Sequence, residues 1–82
     1  MNHAYRREIL THALDARIRE VTEYQVNIDN FRLAIEACRK LPDMHDFQAH
    51  LESLLKSSTL EQRKAQIMLD VIRQQLEAED VG

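Results

Sequence analysis

A chain of 82 residues makes one domain with little interior for its surface, so a monomer would have a thin core and self-association is the expectation. One glycine and one proline, with 44% hydrophobic and 30% charged residues, leave almost nothing for turns or strand boundaries, which excludes a strand-rich fold and favours long helices with one or two breaks. Eleven basic and fourteen acidic residues are interspersed at a net charge of -3, so no global field draws the chain to nucleic acid or anionic lipid.

From Asn2 to about Lys40 there is no proline or glycine, and apolar residues recur in alternating steps of three and four, the spacing that lines one helix face. Written as heptads, Leu14, Val21, Ile28 and Ile35 take the first core position and Leu10, Tyr24, Phe31 and Cys38 the second, with Arg17 as a charged intruder. A helix over about 2–40 is far longer than a small core covers alone, at 1.5 Å of rise per residue. It needs a partner helix of similar length.

The break is expected at 41–43, Leu41-Pro42-Asp43. Proline disfavours helical geometry in the residue before it and has no N–H to continue the helix. Asp43 or Asp46 is placed to cap the second helix. From about 44 to 78 the heptad spacing returns, with Met44, Phe47, Leu51, Leu54, Ser58, Glu61, Ala65, Met68 and Ile72 as the seam and Leu55, Leu69 and Leu76 widening it. So short a connection makes the helices antiparallel, with Ile35 beside Leu51, Phe31 beside Leu54, Val21 beside Ala65 and Leu14 beside Ile72. Ser57-Ser58-Thr59-Leu60-Glu61 also reads as a capping box, so the second segment is either one helix or a pair broken near Ser58. In the continuous case Ser58 and Glu61 face Ile28 and Tyr24, and the Tyr24 hydroxyl meets the Glu61 carboxylate. The end, Glu77 to Gly82, is expected to fray. The fold class is therefore all-α, a single domain over 1–82, an antiparallel hairpin that dimerises into a helical bundle.

No residue set commits the chain to catalysis, a cofactor or a metal. His3, His12, His45 and His50 are never three or four apart, so no helix face offers one ion a histidine pair. Asp46 and His50 are an i,i+4 pair, read as a surface contact. Cys38 falls on the seam, where a thiol behaves as a small hydrophobe, and it has no second cysteine for an internal disulfide. Carboxylates are plentiful, but a bare hairpin offers no cleft to perturb them. No apolar start reads as a signal peptide or membrane span, so a reducing, cytoplasmic setting without membrane attachment is expected.

Two surfaces stand out as candidates. Val26 and Leu33 lie seven apart on the outward side of the first helix, and Leu60, Ile67 and Val71 form a second stripe on the last. A hairpin cannot bury both its seam and these stripes, so they are read as a self-association or partner-binding surface. Arg6 and Arg7 should meet Glu77, Glu79 and Asp80 at the open end, which fixes register or provides a polar docking patch.

The paired heptad segments around Leu41-Pro42-Asp43 resemble, in architecture, several groups of small helical-hairpin proteins: the repressor-of-primer proteins of plasmids, and the short chaperones and needle subunits of type III secretion. A needle subunit would carry a polar proline turn flanked by asparagine or serine, which this turn only partly matches. The opening MNHAYRREIL and the stretch Leu60 to Lys64 are similar in style to short accessory proteins of temperate phages, which implies binding and modulation of a host protein. The leading expectation is a non-enzymatic, homodimeric interaction protein that acts on a partner protein by occupancy. The alternatives are a small secretion-type chaperone and a nucleic-acid-binding dimer of the repressor-of-primer type, contacting phosphates through Arg6, Arg7, Arg17, Arg19 and Arg32.

Overall fold

The computed structural model describes residues 3–81; Asn2, where the first helix was expected to begin, lies outside them, as does Gly82. Helix α1 runs His3–Cys38, one turn of 3-10 helix covers Pro42–Met44, and helix α2 runs His45–Val81. The two helices lie antiparallel in a rod of 62 × 15 × 14 Å.

The turn is built without glycine and without any positive φ among the described residues. Leu41 is extended at φ -121 and ψ 99, the geometry that a following proline imposes, and Pro42 opens the 3-10 turn where its missing N–H costs nothing. Arg39 N–H donates to Ile35 O at 3.1 Å and Leu41 N–H to Cys38 O at 2.9 Å, which closes α1; Met44 N–H donates to Leu41 O at 3.0 Å and starts the return.

The α1 seam follows the expected heptads. Leu10, Ile28, Ile35 and Cys38 are buried, with Leu14, Val21, Tyr24 and Phe31 half-buried between them. Near the turn Ile35, Cys38 and Leu51 form one cluster, with Phe31, Ala34 and Leu55 packed against it.

On α2 the seam differs from the expected one at every second position. Leu51, Ala65, Leu69 and Ile72 are buried, and Leu55, Ser58, Gln62, Leu76 and Glu79 are half-buried, a 4,3 repeat in which Leu55, Leu69 and Leu76, expected to widen the face, form the seam itself together with Gln62, in place of Leu54, Met68 and Glu61. Phe47, Leu54 and Met68 are consequently left 51%, 36% and 43% exposed, and Met44 is also exposed. The physical reason lies in the middle of the helix. The expected phase buries the Glu61 carboxylate, whereas the observed one puts the neutral Gln62 amide there and places Leu55, Leu69 and Leu76 in the seam. Glu61 instead accepts from Lys64 Nζ at 3.0 Å, so the expected Tyr24–Glu61 contact is replaced. Gln62 Nε2 donates to Val21 O at 3.2 Å and to Gln25 Oε1 at 2.8 Å.

Helix α2 is unbroken through Ser58. The Thr59 hydroxyl donates back to Leu55 O at 2.8 Å within the helix, so the local sequence is used as helix interior and not as a capping box. The helix also persists past 78 to Val81, because Glu79 and Asp80 are held by α1.

A polar residue in an apolar seam fixes register at some loss of stability. Gln62→Leu is expected to stabilise the chain by about 1 kcal/mol, because both its acceptors keep other partners or water. Glu61→Leu, on the exposed lateral side, should stay within about 0.5 kcal/mol for the single hairpin. Urea midpoints of the two variants check the observed phase; the reverse order would contradict it.

Candidate functional site

The two columns flanking the seam give the hairpin two unlike lateral faces. Arg6 Nη2 donates to Gln75 Oε1 at 3.2 Å, which places the column 6, 13, 20, 27, 34 of α1 beside the column 47, 54, 61, 68, 75 of α2. Phe47, Leu54 and Met68 therefore share one face with the half-buried Ala13 and Ala34, and Glu20, Asn27 and Glu61 stand between them near the middle of the rod. The next columns outward add Ile9 and Ala16 from α1 and Val71 from α2, with Ile9 54% exposed. This is the apolar face.

The opposite face is polar. Arg32, Glu36, Arg39 and Glu52 line a shallow groove over Ile35 and Leu55. Farther along, Gln25, Gln62, Arg63 and Gln66 line a second shallow groove over Val21. Charged and amide side chains there pair with one another or meet water, and Ile18, 42% exposed, is the large apolar residue standing among them.

The outward stripes sit where the heptads place them. Val26 and Leu33 are exposed on the back of α1, Leu33 at 72%, while Leu60 and Ile67 are exposed on the back of α2. Val71, exposed and four residues on from Ile67, borders both their stripe and the apolar lateral face beside Met68. Phe47, Leu54 and Met68 were missed as surface because the expected phase of α2 counted them as seam. The signal that separates the two phases is the charge at Glu61 against the amide at Gln62.

At the open end the arginines meet Glu79 and Asp80 as their register requires, while Glu77, also expected there, is exposed and takes no part. Arg6 Nε donates to Glu79 Oε1 at 2.5 Å, His3 Nδ1 lies 3.0 Å from Glu79 Oε2, and Arg7 pairs with Asp80. The Glu79 side chain is only 12% exposed. The hydrogen bonds from His3 and Arg6 hold its carboxyl below the usual carboxylate range. A carboxyl whose folded value is depressed contributes stability above its ordinary value, and that contribution is lost as pH falls through the folded value. Glu79→Gln is therefore expected to destabilise at pH 7 and to flatten stability against pH below about 4.5. Urea midpoints measured from pH 7 to pH 3 check this; parallel profiles for the two proteins would contradict it.

Cys38 is buried against the turn cluster, which shields its thiol. Asp46 and His50 are both exposed. Among the described residues no three histidine, cysteine, aspartate or glutamate side chains are grouped to hold a metal ion, and no helix is long and apolar enough to cross a membrane. Compared with known proteins, the chain matches no family model, no curated protein and no solved structure.

Proposed function

We propose that this chain is a non-enzymatic interaction protein: a helical hairpin that dimerises and acts on a partner protein by occupying its surface. One observation carries the reading. The chain exposes 6315 Å², whereas a compact chain of 9.6 kDa exposes about 5,100 Å². The surplus of about 1,200 Å² exceeds the roughly 800 Å² that each partner contributes to a standard interface. Large apolar side chains are exposed on the lateral face and in the outward stripes.

In this reading dimerisation covers one face, and the backs of the helices, with Val26 and Leu33 or Leu60 and Ile67, are left for a partner protein. The action is sequestration, inhibition or chaperoning in a cytoplasmic setting, the mode suggested by the likeness to phage accessory proteins. Arg6 and Arg7 then serve register, since their charges are engaged with Glu79 and Asp80.

The nucleic-acid alternative draws on the same arginines, and Arg17 too is engaged, with Glu20 at 3.0 Å. Phosphate binding weakens steeply as salt rises, which separates it from apolar docking.

Thermal unfolding followed by circular dichroism at two protein concentrations a hundredfold apart tests the reading. A folded dimer in equilibrium with unfolded chains melts at a higher temperature when concentrated. An unchanged Tm would count against self-association.

A further inference from the structure

We infer that a second copy of this chain covers the apolar lateral face, related by a two-fold axis along the rod, so that α1 of each copy packs on α2 of the other and both turns lie at the same end. The inference rests on the self-association reading and adds to it the face and the symmetry.

The choice of face comes from the contrast between the two sides of the hairpin. Five large apolar side chains, Ile9, Phe47, Leu54, Met68 and Val71, are between 36% and 54% exposed on the same side, whereas the opposite side is lined by arginine, glutamate and glutamine with Ile18 as its one exposed large apolar residue among those described. A surplus of surface sufficient for a dimer is thus matched to a face that is apolar toward both ends and charged in the middle, where Glu20, Glu23, Glu61 and Lys64 stand.

The symmetry is set by which helix supplies which residues. On this face α1 contributes mostly alanines, Ala13 and Ala16 near the open end and Ala34 and Ala37 near the turn. Helix α2 contributes the bulk, Met68 and Val71 at the first height and Phe47 and Leu54 at the second. An axis along the rod sets the bulk of one copy over the alanines of the other at both heights, which keeps the layers evenly spaced. An axis across the rod stacks α1 on α1 and α2 on α2, small on small and large on large.

Charge decides in the same direction. Glu20 and Glu23 lie near the middle of α1, on the columns of this face. An axis across the rod brings them against their own copies, a cluster of like charges. The axis along the rod sets them instead over the Glu61–Lys64 ion pair of the other copy, which carries no net charge.

Intermolecular distances between spin labels test the arrangement, with Cys38→Ala as background and a single label at Asp43→Cys in the turn or at Ala78→Cys near the open end. Circular dichroism and solution mass are recorded on each labelled protein. The inferred dimer gives short distances at both sites, within about 25 Å, because facing helices sit only 8–10 Å apart. Long distances at both sites, approaching the 62 Å length of the rod, would overturn the symmetry while leaving the dimer standing. A monomeric mass with no intermolecular distance would overturn the self-association reading itself. Unchanged short distances in a folded Leu54→Glu, Met68→Glu variant would overturn the choice of face.

Discussion

Replacing Leu54 and Met68 together by glutamate is expected to turn the dimer into monomer at concentrations where the parent chain is fully associated. Both side chains project from the lateral face, 36% and 43% exposed in the single hairpin, so glutamate reaches water in the monomer and leaves the fold intact. In the dimer the same carboxylates are desolvated between apolar side chains without a partner. A loss of about 1 kcal/mol at each of the four substituted side chains of the two-fold dimer raises Kd by roughly a thousandfold. Sedimentation equilibrium reads the change, and far-ultraviolet circular dichroism confirms that the helices persist. Leu33→Lys with Ile67→Lys is the comparison. Those two lie on the backs of the helices, so that variant should remain a dimer and lose partner binding instead. Dissociation by the outer pair with retention by the lateral pair would reverse the assignment of the two surfaces.

Leu69→Ala is expected to cost about 3 kcal/mol of stability, against less than about 0.5 kcal/mol for Leu33→Ala. Leu69 is 3% exposed in a seam one side chain deep, and two rigid helices have limited means of closing around the cavity. At roughly 0.05–0.15 kcal/mol per residue, a chain of 82 residues holds about 4–12 kcal/mol in total, so this single deletion removes a large share. Urea denaturation at fixed protein concentration gives both values. A Leu69→Ala midpoint as high as that of Leu33→Ala would mean that Leu69 is not in the seam, and the phase of α2 would have to be redrawn.

That phase is where reading the sequence and reading the structure part company. Helix α1 was legible because one set of apolar residues, from Leu10 through Ile28 to Cys38, fits a single heptad phase with only Arg17 against it. The turn was legible because Pro42 has no substitute nearby. Helix α2 presents two competing apolar columns, Leu54 and Met68 on one side and Leu55, Leu69 and Leu76 on the other, both compatible with Leu51, Ala65 and Ile72. Hydrophobic spacing alone does not separate columns one residue apart. The cost of burying Glu61 does, and weighing that charge against the Gln62 amide recovers the observed seam.

The candidate surfaces were legible to the same extent. Val26, Leu33, Leu60 and Ile67 fall outside either phase of the seam and are exposed. Phe47, Leu54 and Met68 depend on the phase, so the lateral face they form with Ile9 became visible only once the hairpin was assembled. The pairing of Arg6 with Glu79 and Arg7 with Asp80 needed only the antiparallel register. Ser58 shows the limit of local signals: a capping sequence starts a helix only where the chain has another reason to break, and here the seam continues past it.

We propose that this hairpin is half of a self-associated bundle. Light scattering coupled to size exclusion, run over a hundredfold range of concentration, measures it directly. The expected result is a mass twice that of the 9.6 kDa chain at the upper concentrations, falling toward the single-chain value only on dilution. A mass of one chain throughout would contradict the claim, and the lateral face and both outward stripes would then stand together as surface for a different protein.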